Sequence, residues 1–130
     1  MHAYPTSSRR ALLAGHAPSN VRAVRDILGR RGIDRIDSVP DGKTAIAAIA
    51  ARPPDVLVVD WDIPASGAEA IIAAARKGET APKIIVTIAV PTRSAVEAAK
   101  GLSVDSIVAI PFSPRVFMDR LPSLAAAAAP

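Results

Sequence analysis

Val56-Leu57-Val58-Val59-Asp60-Trp61-Asp62-Ile63-Pro64 decides the fold. A short apolar run dominated by β-branched residues ends in a carboxylate, and a loop with a second carboxylate and a proline follows. Such a run reads as a strand buried on both faces, as in a parallel sheet. An unpaired charge is not tolerated inside such a strand, which puts Asp60 at its carboxyl end. In open α/β sheets that edge is where ligands bind.

Working outward, short apolar runs alternate with segments of helical period. Before the central strand, Ala11–Ala14 is a strand candidate. Pro18 and Ser19 open a helix through Arg31, with Val21, Val24, Ile27 and Leu28 on one face. Gly32 stands where a helix C-terminus favours glycine. Ile33–Val39 is a second strand; Asp41-Gly42 then turns into a helix through Ala51 that buries Ala45, Ile46 and Ile49. Arg52-Pro53-Pro54 breaks it. After the central strand come a helix from Gly67 to Lys77 and a strand over Lys83–Ile88. A helix from Thr92 to Lys100, ended by Gly101, precedes a fifth strand, Ser106–Ile110. Ser113 caps the last helix, Pro114 takes its first position, and Pro122 ends or kinks it. Five βα units predict an α/β fold, a doubly wound five-stranded parallel sheet with helices on both faces.

Composition fits one globular domain. Of 130 residues, half are hydrophobic and 3% aromatic, so the core must be aliphatic. There is no cysteine, hence no disulfide or thiol chemistry. The net charge of +4 could suit nucleic acid, but the basic residues are scattered. The densest group (Arg22, Arg25, Arg30, Arg31) shares one helix with Asp26 and has no interleaved aromatics, which reads as a solvated helix face. Residues 1–9 are polar without an apolar signal core, and no stretch is long enough to span a membrane. The expectation is a soluble cytoplasmic protein.

The quoted stretch, preceded by Pro54-Asp55, resembles the phosphoacceptor strand and loop of the receiver domains of two-component signalling, the CheY-like family. Val39-Pro40-Asp41-Gly42, Thr87 at the end of the fourth strand and Ile110-Pro111-Phe112-Ser113-Pro114 after the fifth add to the resemblance. It covers about residues 9–122 and divides the chain into a polar leader (1–9), a receiver-like domain (10–122) and an alanine-rich tail or linker (123–130). It implies strand order 2-1-3-4-5 and a site between the first and third strands. It also implies that Asp60 accepts a phosphoryl group from a histidine kinase, a phosphotransfer protein or a small phosphodonor. Asp60 and the backbone carbonyl of Asp62 would hold Mg²⁺ together with two acidic residues, a lysine would neutralise the phosphoryl charge, and Thr87 would bind a phosphoryl oxygen. A cis Ile110-Pro111 bond is a further family trait.

Position by position, the match is uneven. The acidic pair falls on Gly15 and His16, the lysine on Ile110, and the aromatic switch residue on Ile107. The loop after Pro64 is one residue short. One carboxylate and one carbonyl make a weak Mg²⁺ site at best, because the ion gives up its waters reluctantly. His16 has three readings: a cation in place of the lysine, a ligand for a softer metal beside Asp60, or a half-exposed loop histidine. Gly15 reads as a small residue at a tight turn. Thr87 is either the phosphoryl sensor or a strand-end hydroxyl bonded to nearby backbone. Trp61 covers the cleft mouth or fills a gap under the short loop.

Three functions follow. The first is a phosphorylated receiver that meets a partner through the face of the fourth helix, fifth strand and last helix. The second is a pseudo-receiver with that fold that binds a signalling protein without phosphorylation. The third is a small flavodoxin-like enzyme or flavin carrier, against which stand the plain first loop Gly15–Asn20 and the lack of a nucleophile–base pair. No catalytic residue is assigned. A homodimer is compatible with the first two, and the chain reads as a stand-alone receiver or as one domain of a longer regulator or kinase.

Overall fold

In the computed structural model, which describes residues 9–78 and 80–122, strands and helices alternate throughout. The order is β1 (Arg10–Ala14), α1 (Pro18–Arg30), β2 (Arg35–Val39), α2 (Gly42–Ala51), β3 (Val56–Asp60) and α3 (Ala68–Ala75). It continues with β4 (Lys83–Ile88), α4 (Arg93–Gly101), β5 (Ser106–Ala109) and α5 (Pro114–Arg120). All strand pairs are parallel, in the order β2-β1-β3-β4-β5. The chain leaves β1 for one edge and returns to β3 on its other side, so the carboxyl ends of β1 and β3 flank the switch point.

Side chains alternate between the two faces of each strand. Leu12, Ala14, Leu57, Val59, Ile84 and Val86 enter the core under α2, α3 and α4. Ala11, Leu13, Val56, Val58 and Ile85 enter the core under α1 and α5. Both faces of β3 are therefore dry, which is why its sequence is an unbroken apolar run.

Local chemistry sets the helix ends. Asp41, Thr92 and Ser113 cap α2, α4 and α5 by accepting the backbone N–H of Thr44, Ala95 and Val116, at 2.8, 3.1 and 3.2 Å. At the end of α1, Gly32 adopts φ +88° and donates to the Gly29 carbonyl, while Ile33 N–H reaches back to Leu28 O. This two-bond stop needs glycine at the left-handed position and a buried apolar residue after it. Ile33 is that residue, 4% exposed. It is consumed in closing α1, so β2 starts at Arg35 and not at Ile33 as its apolar character suggests.

Other boundaries move for similar reasons. Gly67, at φ +81°, stays outside α3. Beyond α3 the Arg76 guanidinium turns away to donate to the carbonyls of Leu102 and Ser103. Helix α4 includes Gly101, and the left-handed turn falls on Ser103 (φ 56°). Strand β5 stops one residue before Ile110, whose bond to Pro111 is cis. On α1, Arg25 donates to Ile36 O and Arg30 pairs with Asp26. Among the described residues no helix is long and apolar enough to cross a membrane. Apart from Arg9, the expected leader and tail lie outside the described residues.

The α1/α5 core closes on Phe117, fully buried, with its ring 5.0 Å from that of Phe112. Phe117→Ala is expected to cost about 3–5 kcal/mol in urea unfolding. Val90→Ala, at a residue 67% exposed, is expected to stay within about 0.5 kcal/mol.

Candidate functional site

Asp60 ends β3 and lies beside Thr87 of β4 in the sheet register. Its carboxylate is half-buried and has two neutral donors. Thr87 Oγ1 donates to Oδ1 at 3.2 Å, and the backbone N–H of Asp62 also donates to the carboxylate. Burial outweighs these bonds and raises the Asp60 pKa above the ordinary carboxylate value; Asp62, itself exposed, adds a smaller like-charge contribution. Among the described residues Thr87 is the one polar side chain that is fully buried. Its carbonyl accepts the Trp61 N–H at 2.8 Å, which ties the β3–α3 loop to the end of β4.

His16 completes the cluster. Its Nε2 lies 2.9 Å from Thr87 Oγ1. A threonine hydroxyl has one proton, and that proton is committed to Asp60, so Nε2–H must donate to Oγ1. The chain of bonds runs His16 to Thr87 to Asp60. Nδ1 is left as a bare acceptor, enclosed and without a partner among the described residues. The opposite tautomer would enclose an unpaired N–H there and strand the Asp60 bond.

Burial lowers the His16 pKa from 6.5 to about 4. The ring is therefore neutral at pH 7 and does not supply the positive charge of a lysine, which corrects the cationic reading. His16 itself is partly buried, and its ring is bonded to the sheet through Thr87. The Thr87 hydroxyl serves two side chains and not neighbouring backbone.

Gly15 has φ +84°, and a Cβ there would come within 2.9–3.0 Å of the Ile63 side chain. Both the dihedral and the close approach require glycine, as the tight-turn reading expects. Ile63 is brought there by the short loop after β3, whose Pro64 carbonyl accepts the Gly42 N–H at 2.9 Å. A Cβ on Gly42 would run into the Ser66 hydroxyl, so this loop also demands glycine at the start of α2. Neither Ile63 nor Ser66 is singled out by the sequence reading; the shortened loop was the available sign. Trp61 is partly buried against the α2–α4 core, which favours its packing role.

Ile110 follows β5, with its N–H bonded to Ile88 O at 2.9 Å, and brings no charge to the cluster. Ile107 pairs with Val86 in register and packs against the core. It also lines a groove of about 400 Å³ between α4, β5 and α5, with Val96, Lys100, Phe112, Val116 and Arg120.

The donors do not fit Mg²⁺. The chain offers the Asp60 carboxylate and, by resemblance, the Asp62 carbonyl. Gly15 has no side chain, and the Nε2 lone pair of His16 is replaced by a proton held on Thr87. No cluster of three or more His, Asp or Glu able to hold a metal exists among the described residues. A softer metal shared by His16 and Asp60 meets the same objection.

A doubly wound sheet with an aspartate–threonine pair at its switch point defines a CheY-like α/β protein. Residues 11–122 match the family described as the response regulator receiver domain, and the chain belongs to it. It is a receiver domain of two-component signalling. Its fold is shared by the chemotaxis response regulator CheY4 of Vibrio cholerae, 18% identical over 92% of this chain and 98% of that one, TM-score 0.73. The Francisella response regulator 1452 receiver domain is 22% identical over 87% and 93%, TM-score 0.71. The isolated receiver domain of RcsB from Salmonella enterica serovar Typhimurium, solved with the phosphomimetic BeF3⁻, is 17% identical over 82% and 80%, TM-score 0.70. No curated protein matches the chain.

Two expectations follow. Between pH 4 and 6.5 unfolded His16 binds a proton that the folded protein refuses, so stability is complete above pH 6.5 and falls as the pH drops towards 4. Urea titrations across this range are expected to show wild type losing about 2–3 kcal/mol more than His16→Gln. The raised Asp60 pKa acts in the opposite sense, favouring the fold as pH falls, but is common to both proteins. Separately, Gly15→Asp is expected to cost about 2–4 kcal/mol, from the left-handed backbone and the overlap with Ile63.

Proposed function

We propose that this receiver domain works by protein–protein interaction without phosphorylation of Asp60. The observation that carries this reading is that, among the described residues, the direct side-chain partner of Asp60 is the Thr87 hydroxyl, itself held by a neutral histidine. A phosphoryl group would add about −1.5 to −2 charge at the switch point. Among the described residues none around Asp60 offers a cation against it: Ile110 stands where the resemblance implies a lysine, His16 is neutral, and Gly15 and His16 provide no metal-binding side-chain oxygens. Removing a buried charge from water without a partner is costly.

The partner face on this reading is the groove between α4, β5 and α5. Its floor is apolar, Val116 on its rim is 45% exposed, and its two charged lining residues, Lys100 and Arg120, are both basic. Such a surface suits a signalling protein that presents apolar side chains beside carboxylates. A histidine kinase or phosphotransfer protein can be that partner without transferring phosphate.

The test is phosphotransfer. Acetyl phosphate or a cognate kinase with Mg²⁺ is expected to give no labelling above the Asp60→Asn background. Beryllofluoride with Mg²⁺ is expected to leave Trp61 fluorescence unchanged; Trp61 is the sole tryptophan and adjoins Asp60. Strong labelling that depends on Asp60 would return the domain to the phosphorylated class.

A further inference from the structure

We infer that His16 is a built-in latch: it holds the Thr87 hydroxyl against Asp60 in the absence of any group on the aspartate, and so fixes the domain in one state. The inference deepens the phosphorylation-independent reading and rests on it for its consequence, though not for its geometry.

The hydroxyl of Thr87 makes two side-chain hydrogen bonds in this position. It gives its proton to Asp60 Oδ1 and receives one from His16 Nε2. A threonine side chain moves by hopping between a few staggered rotamers and not by drifting. Leaving the present rotamer breaks both bonds at once. It also leaves an imidazole N–H without its acceptor in a partly buried site, and an unmade buried bond costs more than a made one returns. Without His16, the hydroxyl would lose only the longer bond to Asp60 on turning away.

Position matters here more than charge. His16 reaches Thr87 from the loop after β1, across the end of β3, and joins elements 71 residues apart in sequence. Gly15 makes that reach: its left-handed backbone turns the chain sharply out of β1 just before the ring. The second moving part of such a switch is also fixed. Ile107 is packed against the core and has no ring to swing between an inner and an outer place. Because the Thr87 carbonyl holds the Trp61 N–H, the β3–α3 loop is tied to the same strand end. The surface offered to a partner is then constant, and control passes to the supply of partner.

NMR on the full chain, with no phosphodonor or metal added, tests this. In wild type the Thr87 χ1 couplings are expected to report a single rotamer, and the His16 ring nitrogens the Nε2–H tautomer with slow proton exchange. In His16→Leu the Thr87 rotamer ratio is expected to shift by about fivefold and the couplings to average, whereas His16→Gln, which keeps a donor, largely restores the wild-type values. An unchanged Thr87 rotamer in His16→Leu overturns the latch. If His16→Leu does not fold, Thr87→Val decides, since it keeps the side-chain shape and removes the hydroxyl. Loss of slow Nε2–H exchange supports the latch, and unaltered exchange overturns it. Asp60-dependent labelling by acetyl phosphate would instead sink the functional reading and leave these rotamer measurements standing.

Discussion

Because helices cover β3 and β4 on both sides, every polar group belonging to those strands must either collect at one end or be paired out of contact with water. Asp60 takes the first course and Thr87, beside it on β4, the second. The switch point then adds the end of β1 to the same corner, because the chain passes outward to β2 before returning to β3. Three strand ends therefore converge on a small volume of low polarity. A charge placed there is raised in energy by desolvation, which is what Asp60 registers. Whatever the domain does must be consistent with one partly buried carboxylate, two neutral donors to it and an uncharged imidazole.

The architecture was legible in the sequence because its signals are local and redundant. The apolar runs, the capping residues Asp41, Thr92 and Ser113, and Gly32 after α1 each act within one turn of the chain. Boundaries slipped where one residue had two claims on it. Ile33 looks like the first residue of a strand, but it is needed to close α1. The site was legible only in part. Asp60, Thr87, Gly15 and His16 could be named from the resemblance and placed at one sheet edge, yet nothing in the sequence shows that Nε2 of His16 reaches Thr87. That contact depends on the path of a single glycine and on how deeply the ring sinks, and both are tertiary facts. The same holds for Ile63 and Ser66, whose roles are steric and come from a loop one residue shorter than the resemblance implies.

Histidine in place of an acidic residue is not a neutral exchange here, and its effect depends on depth. On the surface an imidazole could have gained a proton and offset the aspartate's charge. Enclosed, it cannot, because the cost of burying the imidazolium exceeds what a distant carboxylate returns through an intervening hydroxyl. What remains to it is a directional donor. A directional donor acts on geometry, and the group it reaches is the hydroxyl that adjoins Asp60. Burial thus turns a residue that might have tuned charge into one that sets a rotamer.

The departures at residues 15, 16, 107 and 110 are better understood together than one by one. In the arrangement that the resemblance implies, three carboxylates crowd a corner where like charges raise one another's energy, and a divalent cation and a lysine are what make that crowding tolerable. Taking away two carboxylates removes the need for the cations. Taking away the lysine alone, with the carboxylates kept, would have left an uncompensated cluster in a half-buried site. In this chain the corner holds Asp60, satisfied by Thr87 and the Asp62 N–H. On the proposed reading this is a coherent state and not a partial loss. It also makes the arrangement that the resemblance implies hard to build here by one substitution. An acid at position 15 meets Ile63 and a left-handed backbone, and it returns a second negative charge to Asp60's corner with no cation to balance it.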